Sequence, residues 1–78
     1  MQRAQGRTAE ARSNLLRRAL TVDPRSAGSH YNLALVSDET GDVATATEHY
    51  RAFLRLGSVS YADLAALVRA RLTTLGAG

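Results

Sequence analysis

Ser29, His30 and His49 are the residues of this sequence best equipped for chemistry, and their spacing decides what they can do. Ser29 immediately precedes His30, which brings together the residue types of a nucleophile and its general base. Neighbours in a helix point to different faces, however, so the two side chains do not form a working couple. The two histidines show no His-Glu-x-x-His spacing and no carboxylate pattern able to complete a metal site. With no cysteine, thiolate ligands and disulfides are both excluded. No glycine-rich phosphate loop follows a strand, because no segment alternates like one. The expectation is of no catalytic residue, no cofactor and no metal, with His49 on the surface beside Tyr50 and His30 packed.

The ten basic residues are all arginine and leave a net charge of +3 on 78 residues. Arg3, Arg7, Arg12, Arg17, Arg18 and Arg25 lie in the first third, while Asp38, Glu39, Asp42 and Glu48 crowd the middle. Opposed ends of this kind can favour head-to-tail contact, although solvated helix faces are the plainer reading. Nucleic-acid binding through Arg7, Arg12, Arg17, Arg18 and Arg25 would demand strong salt dependence, and no aromatic residue lies among them to stack a base. Nucleic acid is accordingly not the expected partner. No apolar run is long enough to span a bilayer, and "MQRAQGRTAEAR" lacks the apolar core of a signal peptide. The chain is expected to be soluble, without a membrane partner, and cytoplasmic by default.

The elements that must position these groups read as four helices in one all-α domain spanning residues 1–78. The first is expected over about residues 8–22, with Leu15, Leu16, Ala19 and Leu20 as its apolar stripe and Asp23-Pro24 as its stop. The second, over about 27–40, has Ser26 as N-cap and Gly41 placed for a left-handed C′ position. Asp42 caps the third, about 43–56, which is expected to bury Val43, Ala46, Thr47, Tyr50, Phe53 and Leu54 before Gly57 ends it. The fourth, about 60–75, opens with Ser60 and Asp63 in capping-box spacing and carries Tyr61, Leu64, Ala65, Val68, Leu72 and Leu75 on one face. Short connections make antiparallel hairpins of successive helices. The second helix is apolar on two sides, so Tyr31 and Leu35 await either another helix or a ligand.

At an offset of 34 residues the chain matches itself: Leu16 pairs with Tyr50, Arg17 with Arg51, Leu20 with Leu54, Ser26 with Ser60 and Leu33 with Leu67. A helix-turn-helix period of this length marks tetratricopeptide repeats. Residues 29–56, "SHYNLALVSDETGDVATATEHYRAFLRL", resemble one complete repeat of that family. Asn32-Leu33-Ala34 stand in place of Asn-Leu-Gly, Gly41-Asp42 lie at the turn, Ala46 is at the small position and Tyr50 at the aromatic one. Residues 9–24 resemble the second helix and terminal Asp-Pro of a preceding repeat, and the fourth helix resembles a cap that closes an array. The departures are His30 at a position usually aromatic, Phe53 where alanine is typical, and Ser58 in place of proline. Phe53 should push the fourth helix outward or demand a tailored pocket.

The resemblance implies an α-solenoid fragment of about one and a half repeats that serves as a scaffold for a protein or peptide partner. The inner face carried over from the family comprises Tyr31, Asn32, Leu35 and Asp38, extended by Ala65, Ala66 and Arg69. Tyr31 and Leu35 would bury ligand side chains, Asn32 would bond a backbone and Arg69 would pair a carboxylate. The alternative is a homo-oligomer, in which Leu15, Leu16, Ala19 and Leu20 of a half-covered first helix dock on a second copy. Either the chain is a piece of a longer array or self-association supplies the missing surface.

Overall fold

Residues 2–77 are described in a computed structural model, with side chains described from Thr8 onward. Readings placed on the side chains of Arg3 and Arg7 fall outside that range. Four helices follow in order: α1 Gln2–Val22, α2 Ala27–Glu39, α3 Val43–Gly57 and α4 Ala62–Thr74. The fold is all-α, and among the described residues close backbone approach occurs only between consecutive helices, most extensively between α2 and α3.

The punctuation follows local chemistry. The Ser26 hydroxyl accepts the Ser29 N–H at 3.2 Å, and the Asp42 carboxylate accepts the Thr45 N–H at 3.2 Å, each satisfying a donor that the first helical turn leaves open. Gly41 closes α2 with φ of 84°, a conformation that costs other residues a clash at Cβ. The start of α4 differs from expectation. Tyr61, not Ser60, occupies the N-cap, and no side chain caps it. The Tyr61 N–H instead donates to the Gly57 carbonyl at 2.8 Å, so α3 runs almost directly into α4 and Ser60 has no helix start to cap.

Gly57 is the last residue of α3, as expected, and has a second task. It is buried inside the last turn of α3, where an added Cβ would lie 2.9 Å from the Ala27 Cβ, 3.1 Å from the Tyr61 ring and 3.3 Å from the Phe53 ring. The absent side chain is what lets the start of α2 sit against the end of α3. Ala34 and Ala46, both fully buried, do the same along the shared core of α2 and α3, which also holds Tyr50, Phe53, Ala65, Val68 and Leu72. Phe53 has the tailored pocket of the two expected outcomes: its ring is 1% exposed, with Tyr31 at 5.3 Å and Tyr61 at 6.0 Å between centroids. Val43, expected inside, is exposed.

Glycine at 57 and glycine at 28 should therefore respond oppositely to alanine. Gly28 lies in α2 with nothing within 4 Å of an added Cβ, so Gly28→Ala should stabilise by up to about 1 kcal/mol through helix propensity. Gly57→Ala gains the same propensity but forces a methyl against Ala27, and a net loss of about 1–2 kcal/mol is expected in denaturant melts.

Candidate functional site

The polar centre of the molecule is Asp38, in the last turn of α2. Its side chain is only 13% exposed and accepts three hydrogen bonds. Arg71 of α4 grips it from both sides, Nε donating to Oδ2 at 2.7 Å and Nη2 to Oδ1 at 2.7 Å. The Tyr50 hydroxyl of α3 donates to Oδ2 at 2.9 Å. Bidentate guanidinium–carboxylate geometry fixes direction as well as distance, so one carboxylate aligns three helices. The Arg71 hydrogen bonds hold the Asp38 carboxyl below its ordinary pKa, against the opposing effect of burial and with help from Tyr50. Burial, then the bond to Asp38, pushes the Tyr50 phenol up, and Asp38 likewise raises Arg71.

Around this centre α1, α2 and α4 form a face with two apolar hollows that share Leu35. One, of about 280 Å³, is lined by Arg12, Leu15, Leu16, Asn32, Leu35 and Val36. The other, of about 170 Å³, is lined by Tyr31, Leu35, Tyr50, Leu67, Val68 and Arg71. The rims carry Arg12, whose exposed contact with Glu39 is loose at 3.7 Å, and Arg71.

Four of the expected inner-face residues come together here. Tyr31 and Leu35 are half-buried, Asn32 is exposed on the rim, and Asp38 lies beneath with its oxygens committed to Tyr50 and Arg71. Arg69 lies elsewhere, in a hollow with Arg51, Leu54, Leu72, Thr73 and Ala77, and Ala65 is fully buried. The residues of α4 that do reach the face are Leu67 and Arg71. Their four-residue spacing, together with Leu64 and Val68, was the available signal, since i and i+4 share a helical face. On α1, Leu15 is 62% exposed and Ala19 is exposed, whereas Leu16 and Leu20 are partly covered.

The histidines also depart from expectation. His49 is half-buried rather than on the surface, and its Nδ1 lies 2.8 Å from the Nδ1 of His30. Among the described residues no group of three or more His, Cys, Asp or Glu side chains is placed to hold a metal, and no helix is long and apolar enough to cross a membrane. No family model, curated protein or solved structure matches the chain.

Two measurements follow from the Asp38 centre. Tyr50→Phe removes one donor to a well-screened carboxylate and should cost about 1–2 kcal/mol in urea melts, with little further loss when combined with Asp38→Asn. Because the folded carboxyl binds its proton less readily than the unfolded one, its stabilising effect is complete above pH 3.8 and fades as pH falls through the depressed folded value. Asp38→Asn should flatten that acidic limb of the stability curve.

Proposed function

We propose that the chain is a protein-interaction module, a repeat unit of tetratricopeptide type whose α1–α2–α4 face receives a segment of a partner protein. The observation that carries this reading is the pair of adjoining apolar hollows on either side of Leu35, edged by arginine and by the exposed amide of Asn32. Apolar side chains of a ligand would enter the hollows and be removed from water, at roughly 25 cal/mol per Å². Asn32 would bond its backbone. Arg12, only loosely held by Glu39, would meet a carboxylate, in keeping with a chain whose net charge is +3. The ligand class is thus a short acidic segment with spaced apolar residues.

Peptide-display selection on the intact chain should enrich such segments, and Leu35→Arg should weaken them by at least about tenfold, or about 1.4 kcal/mol. Selected peptides that perturb amide resonances away from Leu15, Asn32, Leu35 and Leu67 would overturn the reading.

A second reading rests on α1, where Leu15 and Val22 are 62% and 86% exposed: self-association of the chain through that helix. Sedimentation equilibrium separates the two. A dimer broken by Leu15→Asp supports the second, and a monomer across the whole concentration range removes it.

A further inference from the structure

The histidine pair is a polar cluster outside the binding face that joins two helices and a turn. The His30 Nε2 lies 2.9 Å from the Pro24 carbonyl, which can only accept, so this nitrogen carries a proton. Neutral His30 therefore has its lone pair on Nδ1. That lone pair faces the Nδ1 of His49 at 2.8 Å, so His49 is the donor. The ring centroids are 5.0 Å apart, longer than the nitrogen separation by about the two centre-to-nitrogen radii, and the planes differ by 27°. The rings consequently meet edge to edge, with the two nitrogens nearly on the line between centres. This is the geometry of a single N–H···N bond and not of two ligands converging on an ion.

A chain of donors results, from His49 on α3 through His30 on α2 to the carbonyl of the turn before α2. We propose that His30 and His49 form a proton-operated latch that fastens the α1–α2 turn to the middle of α3. It is closed while one of the two facing Nδ1 atoms keeps a lone pair and sprung when both imidazoles are charged.

The proton count gives the latch its character. One added proton is tolerated, because an imidazolium at either position still donates to the neutral ring opposite. The second places N–H against N–H at 2.8 Å and two positive charges in contact, so the rings must part. The ionisable and charged groups around the pair are Arg17 from α1, Glu48 beside His49 on α3, and Asp23 and Arg25 flanking Pro24 in the turn. Burial foremost, then the neighbouring His30 and Arg17, depresses the proton affinity of His49, against the opposing pull of Glu48. The folded state then binds fewer protons than the unfolded chain. Stability from the latch is full above the unfolded value of 6.5 and declines as pH falls below it. The decline sets in below 6.5, whereas the Asp38 effect sets in only below 3.8, so the two onsets are separable.

The element released is α1. Its backbone approaches α2 alone, and its direction is set by the turn at residues 23–26. A charged His30 still donates from Nε2 to the Pro24 carbonyl, so parting the rings releases the turn, together with His30, from its tie to α3.

The test is nuclear magnetic resonance of the intact chain labelled with nitrogen-15. At about pH 7.5 a coupling across the hydrogen bond should connect the two Nδ1 atoms, and it should vanish when acidification adds the second proton to the pair. The two proton affinities should differ by far more than the roughly fourfold ratio of two independent equivalent sites. Amide resonances of residues 19–30 should shift with the second protonation, and in His49→Phe that second shift should be absent. Absence of the coupling at neutral pH, or its loss with the α1 and turn amides unmoved, overturns the proposal. Should His49→Phe fail to fold, the coupling and the titration of the native chain still decide.

Discussion

Asp38 ties α2 to α4, two helices whose backbones do not approach each other among the described residues. Close approach is confined to consecutive pairs, so nothing in the main chain sets the position of α4 relative to α2. The fork of Arg71 and the hydroxyl of Tyr50, all converging on one carboxylate, supply that long-range alignment. A surface ion pair would contribute little, because water screens it and two flexible side chains must be ordered. Here the carboxylate is largely shielded and its oxygens are shared among three donors, so the arrangement acts on geometry as much as on energy. The hollow between Tyr31, Leu35, Leu67 and Arg71 exists at its observed width because α4 is held at that distance.

Beneath the polar tie, volume decides how near the helices come. Ala34, Ala46 and Gly57 are small where α2 and α3 approach, and Phe53 is large where α2, α3 and the start of α4 leave a gap. The two requirements are linked: a methyl at position 57 would press on both Ala27 and the Phe53 ring that fills the gap. Close packing leaves few voids to absorb such a change. The all-or-none contrast between small and large side chains in "ATATEHYRAFLRLG" is thus the imprint of two neighbours at different distances.

Local signals in the sequence were legible and non-local ones were not. Ser26, Gly41 and Asp42 act within a few residues of themselves, and their cap and turn chemistry marks helix ends as expected. The fourth helix was misread at its start because Ser60 and Asp63 look like a capping box, whereas the hydrogen bond from Tyr61 to Gly57 reaches back into α3. The candidate face shows the same division. Tyr31, Asn32 and Leu35 share a helix, so their proximity follows from spacing alone. The face carried over from the family names Arg69, whereas helical phase on α4 is fixed by packing against α3 and the partner at Asp38 shows that Arg71 turns inward. The bond between His30 and His49 crosses 19 residues and two helices, and no local pattern announces it.

The polar contacts divide the molecule into a rigid part and an adjustable one. α2, α3 and α4 share the buried core and the Asp38 centre, whereas α1 contributes no buried side chain among those described and its backbone approaches α2 alone. Elements with few buried apolar contacts open at low free energy, so α1 is the helix expected to open first. The larger hollow has one wall on that helix, at Leu15 and Leu16, and the other on α2, at Asn32 and Leu35. Its width is therefore set by the angle at which α1 leaves the turn around Pro24, the same turn whose carbonyl receives the His30 proton. A ligand seated between the two walls and a bond that restrains the turn act on one degree of freedom. On the proposed reading, ligand binding and latch closure would shift each other by the same free energy, since coupling between two sites on a shared equilibrium is reciprocal.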